Sequence, residues 1–343
     1  MSQFQVNTIT DKSGTSGPVI AGVSTNNSTG CMIIPAGPTS YRGGFRSRGI
    51  FVSGRADPAA DGKVLDFINI TSTGNAVSYG ESMNASRNGA AVASETRGVF
   101  AQGFANPAVS NAIEFITISN FGSSSDFGDL TLARNQLGGL SDNTRGIFAG
   151  GNPQTNLIDF VTIASQGTNA QDFGDLLLDN QSPSGVASPT RGVLGGGERT
   201  PNYVTSIEYL TIQTLGNTLN FGDLITNRRL LCSCSSATRG LYAGGDNAPN
   251  SSQNVIEYIT IATEGDATNF GDLNVRTQSP AAVTNSVRAC FSGGLQESPS
   301  YTLTNFIDFV LIASEGNATD FGDLTEARRG LSAFSGSHGG IGV

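Results

Sequence analysis

One unit recurs six times along this chain, and it limits the fold more than any other feature of the sequence. It is clearest between Thr144 and Leu176: Thr-Arg-Gly, then Ile-Phe-Ala-Gly-Gly, a polar loop, Leu-Ile-Asp-Phe-Val-Thr-Ile, and finally Asp-Phe-Gly-Asp-Leu. Three anchors hold its register. The first is a basic residue opening an apolar stretch: Arg48, Arg97, Arg145, Arg191, Arg239 and Arg288, spaced by 49, 48, 46, 48 and 49 residues. The second is an acid inside an apolar, β-branched stretch: Asp66, Glu114, Asp159, Glu208, Glu257 and Asp308. The third is a glycine: Gly80, Gly128, Gly174, Gly222, Gly271 and Gly322. Self-similarity at about 40–50 residues is the signature of propellers and solenoids.

Each unit carries four short β signals. The first is rich in small residues, as at Gly138–Ser141 and Cys232–Ser235. The second runs from the arginine to a glycine pair. The third is β-branched and aromatic, as in Ile-Glu-Tyr-Ile-Thr-Ile, which favours strand. The fourth is the Asp-Phe-Gly-Asp-Leu segment. Both faces of the third signal are apolar, which requires a sheet covered on both sides. Stacked propeller blades give that cover.

The two ends choose between propeller and solenoid. The first unit lacks the small-residue strand before Arg48, whereas the C-terminal end has one to spare at Arg328–Ser335. The last segment is therefore expected to complete the first blade and close a ring without a free edge. The expected fold is all-β: a six-bladed β-propeller over residues 46–343, closed by a C-terminal strand and preceded by an extended arm over residues 1–45. The arm has no periodic apolar pattern, and Gly and Pro punctuate it.

Loop lengths place the variable face. From acid to motif glycine the gaps are 14, 14, 15, 14, 14 and 14, but from arginine to acid they are 18, 17, 14, 17, 18 and 20. Variation is concentrated between the second and third strands, and binding usually lives on such loops. They carry Arg55, Phe104, Arg199, Tyr203, Asp246 and Tyr301 as binding candidates. The twelve repeat anchors, Arg48 to Arg288 and Asp66 to Asp308, are expected to be structural. An acid inside an apolar strand needs a partner, and each unit supplies one arginine.

Composition narrows the function classes. A net charge of -9 with 14% charged residues opposes a phosphate-tracking surface, so no nucleic acid is expected. No apolar run approaches the ~18 residues of a membrane helix, and the first residues lack an apolar signal-peptide core. The four cysteines, Cys31, Cys232, Cys234 and Cys290, have neither zinc nor disulfide-framework spacing and are expected to be small buried residues. No catalytic constellation is evident. Ser124–Gly128 has the Ser-x-Asp-x-Gly of a sialidase Asp-box, but Asp129-Leu130 follows where Thr-Trp should stand. A copper site or a Ser-His-Asp triad would rest on His338, the single histidine. Neither a metal nor a cofactor is expected.

The order small strand, Arg, Gly-Gly, variable loop, aromatic strand, aromatic-plus-Leu segment resembles the kelch-like β-propeller over residues 47–343. Two departures stand out. The Trp of that family's fourth strand is Tyr79, Phe127, Phe173, Phe221, Phe270 or Phe321, and only the copies ending at Gly151, Gly197, Gly245 and Gly294 keep a glycine pair. Asn-Ala-Thr-Asp-Phe-Gly-Asp-Leu at Asn317–Leu324 is similar to kelch-like virion proteins of tailed phages, marine and cyanobacterial ones in particular. Val6–Thr15 and Ile34–Thr39 resemble the opening of phage tail and fibre proteins. The resemblance implies a non-enzymatic virion structural protein, oligomeric in the particle, with other virion proteins as partners through residues 1–45. It would decorate tail, fibre, baseplate or capsid. The alternative is an adhesin for host attachment, with a host-surface glycan as ligand.

Overall fold

The computed structural model describes residues 24–25, 32–33, 47–56, 60–247, 251–297 and 300–341. The chain divides into two compact units, Met1–Phe45 and Arg46–Val343. In the first, Ser24–Thr25 pairs antiparallel with Met32–Ile33. The stretch Ile34–Thr39 and Cys31 lie outside the described residues.

The second unit is a six-bladed β-propeller. Blade 3 shows the pattern: Gly138–Ser141 innermost, then Arg145–Ala149, Leu157–Thr162 and Gln171–Asp175 at the rim, all antiparallel. The six inner strands touch one another in a closed circle around the axis. In blade 1 the inner strand is Ser332–Ser335, paired with Arg48–Val52 so that Gly49 faces Ser335. The ring is thus closed by the C-terminal strand, as the spare small-residue segment predicts.

Apolar residues on both faces of the second and third strands leave no blade able to stand alone. Six hydrophobic clusters form, each shared by two adjacent blades. One joins Val99, Ile113 and Phe127 of blade 2 to Phe148, Val161 and Ile163 of blade 3. The phenylalanine of Phe-Gly-Asp-Leu enters the interface with the following blade through a bulge, as Phe173 of blade 3 does toward blade 4. Ile158 faces Gly174 while Asp159 faces Asp172, so Phe173 is the extra residue. Its ring meets Phe160 edge-on at 6.0 Å. A bulge of this kind also supplies local twist.

The motif glycine serves a close approach. Gly174 has φ +144°, and a Cβ there would lie 2.5 Å from the carbonyl oxygen of Gly216 in blade 4. That neighbour belongs to the turn between the third and outer strands of the next blade. Gly216 donates its N–H to Phe173 at 2.9 Å and Thr218 donates to Asp175 at 2.9 Å. The side chain of Asn217 accepts the Asp175 N–H at 3.0 Å. Each rim strand is covered in this way by the following blade, with glycine N–H to aromatic carbonyl bonds at all six junctions. The free edges of a propeller are thereby satisfied.

The arginines and acids of the repeat do not pair as the sequence suggests. Arg145 stands opposite Thr162, and Asp159 stands opposite Phe148. Three residues apart along a strand, they face opposite sides of the sheet. Arg145 stacks over Phe160 of its own blade at 4.5 Å and reaches toward blade 4, where it donates to Ile212 O at 2.8 Å. The same staple recurs from Arg48 to Ile118, Arg97 to Ile163, Arg191 to Ile261, Arg239 to Ile312 and Arg288 to Ile70. The acid of the blade that receives the staple lies about 13 Å further up the strand, four residues away.

The acids look the other way, toward the linker that enters their own blade. Asp159 accepts the Thr131 N–H at 3.1 Å. Equivalent bonds run from Met83 to Glu114, Leu177 to Glu208, Ile225 to Glu257, Asn274 to Asp308 and Thr325 to Asp66. Their cations come from elsewhere. Arg134 meets Asp159 at 3.1 Å, Arg228 meets Glu257 at 2.8 Å and Arg328 meets Asp66 at 3.0 Å, all fully buried. These pairs occupy blades 3, 5 and 1. Burial lowers the pKa of all three guanidinium groups, and each facing carboxylate opposes that shift. Between them, Asn180 and Thr277 hold the equivalent linker position, and burial raises the Asp308 carboxyl against its two Asn274 hydrogen bonds. The propeller therefore carries a two-blade period within its six-blade ring.

Cys232, Cys234 and Cys290 are free and buried. Burial pushes the Cys232 thiol up to about 12.

Two outcomes follow from this packing. A chain ending at Leu324 lacks the inner strand of blade 1, so Arg48–Val52 becomes an open edge. Calorimetry and light scattering should show loss of the cooperative melt and aggregation; an unchanged Tm would overturn closure by the C-terminal strand. Asp159→Ala leaves Arg134 buried without its carboxylate and should cost about 3–5 kcal/mol in urea unfolding. The exposed Asp179→Ala should stay within about 0.5 kcal/mol.

Candidate binding face

Two places could receive a ligand, the axis and the face of variable loops. Around the axis the inner strands offer small side chains and backbone. Cavities of about 70 Å³ and 120 Å³ lie there, room for a few waters. At the entrance on the loop side, Asn88, Gln136, Ser182, Leu230, Ser279 and Gly330 all hold positive φ. Backbone bonds link neighbours in this circle, as from Gln136 N to Asn88 O at 2.6 Å and Gly330 N to Ser279 O at 3.0 Å.

At the other end the C-terminal turn lies over the axis. A Cβ on Gly340 would strike Ser141 O, and one on Gly339 would strike Ser236 O and Ala187 O. His338, which the repeat register puts in an arginine slot, instead turns inward and is only partly accessible. Its Nε2 lies 2.9 Å from Ala93 O and 3.2 Å from Ser141 Oγ, while its Nδ1 accepts the Gly340 N–H at 3.2 Å. Those contacts assign the neutral ring with its proton on Nε2.

The variable loops occupy the opposite face, where two-residue ribbons rise from five blades among the described residues. Six antiparallel bridges tie the loop bases to the interblade linkers: Arg87 with Phe104, Asn135 with Asn152, Gln181 with Glu198, Arg229 with Asp246, Gln278 with Leu295, and Arg329 with Arg55. The loops are thus rigid at their roots and differ at their tips.

The six loop candidates fall in four places. Tyr203 and Asp246 meet at the junction of blades 4 and 5, where the phenol donates to Asp246 Oδ2 at 3.3 Å. Arg229 binds Glu198 at 2.5 Å and Asp246 at 3.2 Å, and lies over the Tyr203 ring at 4.7 Å. Burial raises the Tyr203 pKa; for Arg229 burial is the largest single effect and lowers the pKa, but Glu198, Tyr203 and Asp246 together outweigh it and raise the pKa. Arg199 is turned back to Glu208 at 2.6 Å. Asp246 is buried, so it is part of the junction and not a free loop acid. Phe104 lies under Arg87 at 4.2 Å, and Arg87 is bonded to Asp61. Arg55 and Tyr301 come together at a pocket of about 170 Å³ between blades 6 and 1, with Leu295, Leu303 and Arg329.

Sequence reasoning missed Arg87, Arg229, Arg329 and Glu198. A signal for the first three was available. Each stands five residues after the last position of the motif, at Ser82, Leu224 or Leu324, and the linker position is basic in these three of six copies. Chemically this face offers guanidinium groups, phenols and carboxylates for recognition. A scan against protein-family models and a search of curated proteins find no match to the chain. What is shown is the architecture, a six-bladed β-propeller.

The geometry of His338 sets a pH dependence. Burial lowers its pKa from the ordinary 6.5, with the Ala93 carbonyl and Asp142 opposing. The unfolded chain then binds the proton more readily than the folded one, so stability is full above pH 6.5 and falls as pH drops through the folded pKa. Thermal melts between pH 7.5 and 5 should show this loss, and His338→Gln should remove the His338-dependent part of it.

Proposed function

We propose that this chain is a non-enzymatic structural protein of a phage particle, attached through residues 1–45 and displaying the propeller. The observation that carries the proposal is closure. Blade 1 takes its inner strand from Ser332–Ser335, so the four strands of each of the six blades all come from the unit Arg46–Val343. A segment without a periodic core, placed before such a domain, suits docking. Extended segments can wrap a partner surface and meet their ordering cost on binding. The resemblance of Asn317–Leu324 and of the arm to kelch-like virion and tail proteins points the same way.

A second reading has its own support. The loop face gathers Tyr203, Asp246 and Arg229 at one junction and Arg55 with Tyr301 at another. Aromatic rings beside fixed polar groups suit a saccharide, as in an adhesin for the host surface. Display and adhesion are compatible, because the first uses the arm and the second the loops.

Deleting residues 1–40 should leave a folded propeller with the melting temperature of the full chain. Co-sedimentation with particles lacking the protein should fall to background. Full incorporation of the deleted form would move attachment to the propeller and sink the docking role of the arm.

A further inference from the structure

The loop-side entrance to the axis is a collar whose backbone is satisfied and whose side chains are not. Asn88, Gln136, Ser182, Leu230 and Ser279 hold φ between 53° and 59°, and Gly330 completes the circle at 65°. Glycine adopts this region freely and other residues do not; strain of this kind collects at functional sites. The backbone groups are spent on one another. Gln136 donates to Asn88 O, Ser182 to Gln136 O, Ser279 to Leu230 O, Gly330 to Ser279 O and Asn88 to Gly330 O, at 2.6 to 3.0 Å. The side chains of Asn88, Gln136, Ser182 and Ser279 have no hydrogen-bond partner in the protein among the described residues. Ser182 is only 6% exposed, so its Oγ has neither water nor protein. A buried hydroxyl left in that state carries its full desolvation cost.

The surroundings define what would complete it. The mouth has a volume of about 80 Å³, room for one small group and below the ~300–1,000 Å³ of sites that enclose drug-sized ligands. Among the described residues no charged side chain lines it, and an ion there would be desolvated without a counter-charge. Asn88 and Gln136 offer amide donors and acceptors, Ser182 and Ser279 hydroxyls. One residue further along the chain the wall turns apolar in five of the six blades, with Leu137, Pro183, Leu231, Pro280 and Leu331. The C-terminal turn covers the far end of the axis, so entry is from the loop side. A neutral polar collar above an apolar ring matches a group that is an amide at one end and a methyl at the other. An acetamido group has both parts: its carbonyl accepts, its N–H donates, and its methyl is removed from water.

We propose that the axial mouth binds the acetamido group of an N-acetylated sugar. Asn88, Gln136, Ser182 and Ser279 hold its amide, the leucine and proline ring receives its methyl, and the sugar ring lies outside among the variable loops. The collar is bonded to itself, so little freedom remains to be lost on binding. The proposal rests on the loop face being the binding face of an adhesin, and it names the class of sugar.

The test uses the full chain with N-acetylglucosamine and glucose as probes, followed by ligand-observed NMR. N-acetylglucosamine should bind and glucose should not, and saturation transfer from the protein should be strongest at the acetyl methyl. Affinity should not change with salt, since the mouth carries no charge. It should fall about three- to tenfold in Asn88→Gly and in Gln136→Gly, the loss expected for one neutral hydrogen bond. Glycine keeps the positive φ without strain, and a cooperative melt certifies the fold of each variant. N-acetylglucosamine bound no better than glucose, or equally by both variants, overturns the site. Saturation transfer strongest on the sugar ring overturns it without recourse to any variant. A glycan array probed with the same protein separates this proposal from the adhesin reading. Glycans bound with no preference for acetamido groups remove the axial site and leave the adhesin standing. An array without bound glycans, beside free N-acetylglucosamine that binds and responds to the variants, does the reverse.

Discussion

The second and third strands of every blade are apolar on both faces, and that single constraint dictates the ring. A sheet of this kind must have another sheet against each face. Six blades satisfy it only if the last also meets the first, which is why blade 1 takes its inner strand from the far end of the chain. The hydrophobic clusters accordingly lie between blades. Close stacking then fixes the small details. The motif glycine is needed because the next blade's turn passes where a Cβ would be, and the bulged phenylalanine is turned into the interface by the same step.

Charge is placed so that each blade is tied to both neighbours by different groups. The strand-initial arginines lie near one face of the ring, half-buried, with a planar group that stacks on an aromatic ring while donating to a carbonyl of the following blade. Guanidinium suits this double duty because it is flat, weakly hydrated and rich in donors. The strand acids lie deeper and bind the linker of the preceding junction. A carboxylate there costs desolvation, which is offset by two or more donors and, in three blades, by a buried arginine. The alternation of arginine with Asn180 and Thr277 at one linker position gives a two-blade period that the 49-48-46-48-49 spacing does not show.

The result is a rigid disc with two unlike faces. On one, the C-terminal turn covers the axis and the interblade staples are concentrated. On the other, six backbone bridges hold the roots of loops whose tips differ in length and chemistry. Rigid roots with variable tips suit recognition, since little backbone entropy remains to be lost on binding. The junctions differ in charge: Arg87 meets Asp61 at blades 1/2, and Arg229 meets Asp246 at blades 4/5.

The sequence by itself determined the blade count, the strand order within a blade, closure by the C-terminal strand and the face on which variation falls. Those features are local or periodic, and period-2 apolar patterns with fixed turn residues encode them directly. Only the tertiary structure decided which charges meet. Arg145 and Asp159 are close in sequence and opposite in charge, yet the pleat turns them to opposite faces of one sheet. The partner of Asp159 is Arg134, from a linker that contributes to no strand pattern. The grouping of Arg55 with Tyr301 likewise joins the first blade to the last across 246 residues of chain. No local pattern can reveal it, because it exists only once the ring has closed.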